Sequence, residues 1–394
     1  MKKFITRIVI LLLTVSLLAS IPTMPTSAAT PTALATSERV SLPEVEAACK
    51  SGILMEASTG QVLWETASDI SMPPASVTKI MTLLLVMEAL ESGAVGWEDK
   101  VTASARASAM GGSQIFLKEG EVMSLRDLIK SVVIASANDA AVALAEHVAG
   151  SEEAFVEHMN RRASELGMVN THFENTNGLD DTAQNHVTSA RDIAIMSRAL
   201  IAHKEILTYS STWMDTIRDG AFGLTNTNRL VRYYPGCNGL KTGSTQKAGF
   251  CVSVTAERDG MTLICVIMGA ESRDSRNAAA KALLDWGFAT YGLFTAQGGK
   301  LGPVSVTGGT VGEIELSYPT FTAVLPRGDM TAVEHAVELP ESLTAPVRAG
   351  EVVGKISYTC KGKLLGEVAV TATETSLRPT FWDVWRRMLG IWIG

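Results

Sequence analysis

Aromatic side chains are scarce in this 394-residue chain, at 6% against 46% for all hydrophobic types, which excludes an aromatic-rich interior and points to aliphatic packing with Ala and Gly. No concentrated run of Lys and Arg occurs, and the formal charge of −7 excludes nucleic acid as the main partner, since phosphate backbones call for clustered cations. The five cysteines (Cys49, Cys237, Cys251, Cys265, Cys360) have neither CxxC nor zinc-ligand spacing, and their odd number leaves at least one unbridged in a monomer. Three of them fall in one strand-rich stretch, where a bridge and buried thiols both stay open. No two of the six histidines make an HExxH pair, so no metal or other cofactor is expected. Internal repeats of solenoid or propeller length are also missing.

What is present begins with an export signal. Lys2, Lys3 and Arg7 precede an apolar run from Ile8 to about Ala19, and the small residues Ser27, Ala28 and Ala29 follow, the pattern of a signal peptide over residues 1–29. The run falls short of the roughly 20 apolar residues that a hydrocarbon core of ~30 Å requires, so it reads as a cleaved segment and not as a span. The mature chain is expected to begin near Thr30, outside the cytoplasmic membrane, with a polar linker to residue 46.

Residues 47–295 read as an α/β (α+β) domain with an antiparallel sheet flanked by helices and the site at the junction of sheet and helical insert. GILMEASTGQVLWET is a hairpin turning at Ser58-Thr59-Gly60, and Asp259-Gly260 between two apolar runs signals a second hairpin. Pro73 and Pro74 exclude helix before Ser76, after which Ile80, Leu83, Leu84, Met87 and Leu90 recur at helical spacing. Helical patterns at 124–135, 138–149, 151–166 and 189–202 form the insert, and a last helix over about Ser275–Trp286 closes the domain. Residues 296–375 switch to short alternating segments punctuated by Gly and Pro, a small all-β domain. Over residues 376–394, Phe381, Val384, Trp385, Met388, Ile391 and Trp392 share one side of a helical wheel, opposite Asp383, Arg386, Arg387 and Gly390. At 1.5 Å per residue that helix is about 20 Å long, too short to cross a bilayer but suited to lie in its interface. We read it as a peripheral anchor on the outer face of the membrane, the alternative being a helix docked on the β domain.

Three short motifs carry chemistry. Ser76-Val77-Thr78-Lys79 sets a hydroxyl and an amine at i and i+3, on one face of a first helical turn, so that a lysine of depressed pKa takes the serine's proton. Ser136-Ala137-Asn138 lies between two helical patterns, where Asn138 alone reads as a helix N-cap. Lys241-Thr242-Gly243 lies in a strand, and Gly243 leaves room for a substrate backbone at the strand edge.

In this order, with strands outside and helices between, the set resembles the penicillin-recognising serine acyltransferases, a β-lactamase/transpeptidase-like fold. Ala137 stands where the class A β-lactamases carry Asp, which favours a peptidase. ILMEASTGQVLWE, GGSQIFLKEGE, THFENTNGLDD and LLDWGF extend the likeness over nearly the whole mature chain, to the D-alanyl-D-alanine carboxypeptidases among the low-molecular-mass penicillin-binding proteins. The small β domain and amphipathic C-terminal helix also match that family's arrangement. The resemblance implies removal of the terminal D-alanine from peptidoglycan stem peptides, with β-lactams as covalent inhibitors. It implies Ser76 as nucleophile, Lys79 as its base, Ser136 as proton relay, Asn138 on the substrate amide and Lys241 tuning both sides. The backbone of Ser76 and Ser244 would form the oxyanion hole, and Thr242 and Arg276 would bind the terminal carboxylate. Ser244 stands where the family can carry His, which weakens side-chain help at that carboxylate.

Other readings share the fold. A β-lactamase needs a positioned Glu and water; Glu165 and Glu174 lie in the right region without a recognisable loop motif. A D,D-endopeptidase would use every residue named above. A non-catalytic wall-binding or antibiotic-sensing protein would keep the shape without the turnover, although every motif residue is present.

Overall fold

The computed structural model describes residue 45, residues 48–180 and residues 183–393. The signal peptide and nearly all of the linker lie outside the described residues. Chain order begins with strands β1 (Ser51–Glu56) and β2 (Val62–Thr66), joined by the expected hairpin. Helices α1 (Lys79–Glu91), α2 (Leu125–Ile134), α3 (Asn138–Ala149), α4 (Glu152–Glu165) and α5 (Ala190–Ala202) make the insert. The chain then returns through β3 (Cys237–Thr245), β4 (Gly249–Arg258) and β5 (Met261–Ala270) to α6 (Arg273–Thr290). The sheet order is β2-β1-β5-β4-β3, antiparallel at every pairing, so β3 with its Lys-Thr-Gly motif is an edge strand.

Strand periodicity divides the interior in two. Ile53, Met55, Ile264, Val266 and Met268 face the helical insert, while Leu54, Leu263, Cys265 and Ile267 pack under α6. Helix α1 is buried around most of its circumference, from Lys79 through Met87, as expected of a helix at the centre of a bundle and not on its surface. Serine side chains start the surrounding helices: Ser124, Ser151 and Ser189 accept from Asp127, Ala154 and Asp192 backbone N–H groups, each at 3.1 Å. Ser272 forms a capping box with Ser275, so α6 starts ahead of Ser275 and runs on past Trp286. Cys237, Cys251, Cys265 and Cys360 are buried free thiols, which resolves the alternative left open by their spacing.

The all-β domain has a six-stranded sheet, with a core that includes Ile314, Leu316, Val370 and the stacked rings of Phe321 and Tyr358, 4.2 Å apart. Its first strand, Tyr291–Ala296, pairs with Phe321–Pro326, so the change of domain falls at the end of α6, ahead of position 296. Helix α7 (Phe381–Ile393) follows, and Phe381, Trp382, Trp385 and Met388 on it are exposed, not packed on the β domain. No helix among the described residues is long and apolar enough to cross a membrane.

Candidate active site

The Ser76 turn is tighter than the sequence suggests. Ala75–Thr78 is a 3-10 turn that leads into α1, and Lys79 Nζ reaches back to Ser76 Oγ at 2.9 Å. The amine also donates to Asn138 Oδ1 at 2.6 Å and to the Asn177 carbonyl at 2.8 Å. Those two partners only accept. A neutral amine has two hydrogens and one lone pair, so with both hydrogens so engaged the lone pair faces the Ser76 hydroxyl. Burial pushes the Lys79 pKa well below the ordinary lysine value, the nearby charge of Lys241 pushes it further, and Asp139 opposes both.

Asn138 does not cap α3. The N-cap position is Ala137, with no side-chain cap, and the Asn138 amide is held instead by Lys79 and by the Gly111 carbonyl, to which Nδ2 donates at 2.7 Å. Ser136 sits just before it with a left-handed φ of 64°, a conformation that costs a non-glycine residue about 1–3 kcal/mol and is common where a site fixes the backbone. Its hydroxyl accepts from Lys241 Nζ at 2.8 Å, and Lys241 also donates to the Thr242 carbonyl at 2.9 Å.

Gly243 has a different reason from the one its position at a strand edge suggests. A Cβ there would lie 2.8 Å from the Ser76 nitrogen and 2.9 Å from both the Pro74 oxygen and the Val77 nitrogen. The residue is small because β3 presses against the turn that carries Ser76, not only to admit a ligand backbone.

Ser76, Ser136, Thr242, Gly243, Ser244 and Arg276 line one cavity of about 620 Å³, with Lys79, Asn138 and Lys241 buried behind it. Arg276 is 3% exposed, donates to the Cys251 carbonyl at 3.2 Å and to Asn277 Oδ1, and has no carboxylate partner among the described residues. Burial lowers its pKa to about 10, with the charge of Arg273 adding to the effect. No described lining residue of the cavity is acidic. A cationic pocket of this kind takes an anionic ligand. All nine predicted site residues therefore meet at one place, at the junction of sheet and insert.

The family model of the D-alanyl-D-alanine carboxypeptidases, peptidase S11, matches residues 36–272, and that of the penicillin-binding protein 5 C-terminal domain matches residues 291–376. The chain belongs to the D-alanyl-D-alanine carboxypeptidase family. It is 38% identical over 369 residues to the D-alanyl-D-alanine carboxypeptidase DacF of Bacillus subtilis, covering 92% of this chain and 94% of that one. With the D-alanyl-D-alanine carboxypeptidase DacC of Escherichia coli it shares 34% over 381 residues, 92% of this chain and 94% of the other. Among solved structures, penicillin-binding protein 5 of Haemophilus influenzae matches with a TM-score of 0.76 at 31% identity, covering 86% of this chain and 99% of that one.

Several residues of this D-alanyl-D-alanine carboxypeptidase family member support the site without belonging to a motif. Asp139, fully buried, accepts from the Ile115 and Leu117 backbone N–H groups and so holds the loop after Ser113 against α3. Thr78 donates to the Ala75 carbonyl at 2.9 Å, which makes its oxygen the acceptor of the 2.7 Å contact with His186 Nε2. His186 Nδ1 accepts from the Glu174 N–H, so the ring is the Nε2–H tautomer, and burial lowers its pKa to about 4. Trp213, Arg229, Tyr233 and Arg273 complete the cavity wall. Trp213, Arg229 and Tyr233, in loops and a short helix, and Arg273, at the start of α6, carried no signal; Asp139, beside Asn138, was the one most open to discovery.

Burial lowers the Lys241 pKa to about 7, and the charge of Arg276 contributes. The unfolded chain binds this proton up to the ordinary lysine pKa of about 10.4 and the folded chain does not, so folded stability rises with pH across that window. Lys241→Met removes the effect. The stability gap, variant minus wild type, is expected to shrink by about 3 kcal/mol from pH 7 to pH 10 in urea unfolding, at up to ~1.4 kcal/mol per pH unit. Parallel pH profiles for the two proteins would show that Lys241 titrates normally.

Proposed function

We propose that the chain is a serine D-Ala-D-Ala carboxypeptidase that trims peptidoglycan stem peptides through a Ser76 acyl-enzyme, and that β-lactams acylate the same oxygen. The observation that carries this reading is the Lys79 amine, buried and held so that its lone pair faces Ser76 Oγ, beside a buried guanidinium in a cavity with no acid among its described lining residues. Lys79 takes the hydroxyl proton as Ser76 Oγ bonds to the carbonyl carbon of the penultimate D-alanine. The backbone N–H groups of Ser76 and Ser244 receive the oxyanion, a contribution of about 10²–10³ in rate for a single donor. As the C–N bond breaks, the proton that Lys79 accepted passes through Ser136 to the departing amine, which leaves Lys79 neutral again, and Lys241 supports Ser136. Arg276 holds the terminal carboxylate with N–H donors left over from its internal bonds, and Thr242 joins it once its hydroxyl turns from Thr227 to the carboxylate. Water then attacks the ester carbonyl, Lys79 takes and returns the proton, and Ser76 is regenerated with the shortened peptide as product.

A β-lactamase reading is weaker for a specific reason. Glu165 pairs with Arg162, and the Glu174 carboxylate accepts from the Gln184 and Asn185 N–H groups, so neither acid of the insert points to the ester. A penicilloyl adduct should therefore persist. Exposed Phe381, Trp382, Trp385 and Met388 on α7 support a peripheral anchor on the outer membrane face, which keeps the cavity near the wall.

The test is intact-mass analysis after incubation with penicillin, alongside D-alanine release from an acyl-D-Ala-D-Ala peptide, for wild type and Ser76→Ala. A stable adduct and D-alanine release are expected only from wild type. A folded wild type that gives neither would leave a wall-binding role as the better account.

A further inference from the structure

Two asparagines far apart in the chain hold Lys79, and one short segment holds both of them. The Lys79 amine donates to Asn138 Oδ1 and to the Asn177 carbonyl. The Asn138 backbone N–H donates to the Ser113 carbonyl at 2.7 Å, and its Nδ2 donates to the Gly111 carbonyl at 2.7 Å. The Asn177 amide reaches the same segment one residue earlier, where its Nδ2 donates to Met110 Sδ at 3.4 Å. Residues 110–113 thus fix the two acceptors that aim the Lys79 lone pair at Ser76.

The sulfur has no substitute. Asn177 is buried, its Oδ1 accepts from the Leu179 N–H at 2.9 Å, and Met110 Sδ is the one acceptor for its Nδ2 among the described residues. With both ends of that amide engaged, the 177–179 turn is locked and its first carbonyl stays on Lys79. A thioether is a weak acceptor, so this hold is the one most easily changed. Met110 does not line the active-site cavity, so its sulfur is not a ligand contact. It is half-buried against the core, with exposed Ala109, Gly111 and Gly112 beside it, and a small solute reaches it from solvent.

Resting on the peptidase reading above, we propose that Met110 is a positioning residue for Lys79, acting through the Asn177 amide, and that oxygen transfer from a peroxide to its sulfur releases this hold and slows acylation. The sulfur attacks one oxygen of hydrogen peroxide, the S–O bond forms as the O–O bond breaks, and the hydrogen on that oxygen passes to the departing hydroxide. The thioether is oxidised to a sulfoxide and the peroxide is reduced to water. The product cannot keep the contact. An oxygen between sulfur and nitrogen needs about 2.9 Å to the nitrogen, which with the S–O bond exceeds the 3.4 Å present. An oxygen pointing elsewhere leaves the N–H against a sulfur drained of electron density. Either way the Asn177 turn or the Gly111 carbonyl shifts, and with it one of the two acceptors on Lys79.

The experiment follows acylation by a fluorescent penicillin across pH for wild type, Met110→Leu and Met110→Gln, before and after hydrogen peroxide, with sulfoxide at residue 110 read by peptide mass. Met110→Leu keeps the volume and loses the acceptor, so the plateau rate is expected to fall about 10-fold with the affinity for penicillin before acylation unchanged. Its midpoint should move to lower pH, because a carbonyl acceptor favours the charged amine. Lys241, Asp139 and His186, the other groups whose charge bears on Lys79, are unaltered by the substitution. Met110→Gln offers a carbonyl oxygen and should recover most of the rate, and thermal melts of both variants should overlay wild type. Peroxide should slow wild type in step with sulfoxide at Met110, methionine sulfoxide reductase should restore it, and Met110→Gln should lose little. Wild-type rate and midpoint in Met110→Leu, no recovery in Met110→Gln, or equal peroxide losses in wild type and Met110→Gln would each overturn the proposal and leave the peptidase reading standing. An untreated wild type that penicillin does not acylate overturns both.

Discussion

Lys79→Met is expected to slow acylation of Ser76 by about 10²–10⁴-fold, with penicillin and with acyl-D-Ala-D-Ala alike, because no other described amine contacts the Ser76 hydroxyl. The variant should fold. Methionine fills a similar volume, and the replaced ammonium is disfavoured by burial wherever it is protonated, since Lys79 is fully buried. The pH profile provides an independent readout. Lys79 acts in its neutral form, so the wild-type acylation rate should rise as pH passes upward through its depressed pKa and then level off, whereas Lys79→Met should lack that limb. Stopped-flow acylation with a fluorescent penicillin measures both. A variant rate close to wild type would move the base to another group, with Lys241 acting through Ser136 as the nearest choice.

Gly178→Ala is expected to damage both stability and rate although residue 178 belongs to none of the three catalytic motifs. Gly178 has a φ of +83°, and a Cβ on it would lie 1.9 Å from the Ala75 oxygen and 2.8 Å from Thr78 Oγ1. Backbone atoms cannot swing aside as a side-chain tip does. The left-handed conformation costs an L-residue about 1–2 kcal/mol, and overpacking adds ~1–3 kcal/mol, so a loss of about 3 kcal/mol is expected. The strain falls on the turn carrying Ser76 and on Asn177, whose carbonyl holds Lys79. A displacement of 1 Å at reacting groups costs about 10²-fold, so acylation should fall by at least that much among molecules that remain folded. Urea unfolding and penicillin labelling report the two effects separately. A variant with wild-type values in both would mean that the loop shifts freely away from the turn.

Much of the fold was legible because the period of the hydrophobic pattern changes where the layers change. The Asp259-Gly260 turn and the serine caps at Ser124, Ser151 and Ser189 have local physical causes and were found where the sequence placed them, whereas α6 begins earlier, on Ser272, and strand structure resumes at Tyr291. Helix α1 was legible only in part: its buried residues leave no polar face, and periodicity marks a face only when there is another to contrast with it. The site was legible as three motifs because each places its residues within four positions of one another. Their junction came from the family resemblance and not from spacing, since Asn138 on Lys79 and Lys241 on Ser136 join residues 59 and 105 apart in the chain. Gly243 was read as a clearance for ligand, and the packing partner that explains it lies far back in the sequence, at the Pro74–Val77 turn. The Asn177 carbonyl was invisible for a simpler reason, because a backbone acceptor has no residue type to recognise.

The contact at Gly243 also governs motion. An outermost strand is ordinarily the part of a sheet most prone to fray, because only one of its sides is hydrogen-bonded. Here one face of that strand rests at Gly243 on the turn that carries Ser76, so any movement of the Lys241–Ser244 backbone carries the Ser76 turn with it. The two segments that would grip an oxyanion behave as the jaws of one clamp, and the distance between them is set by van der Waals contact and not by the flexibility of the sheet.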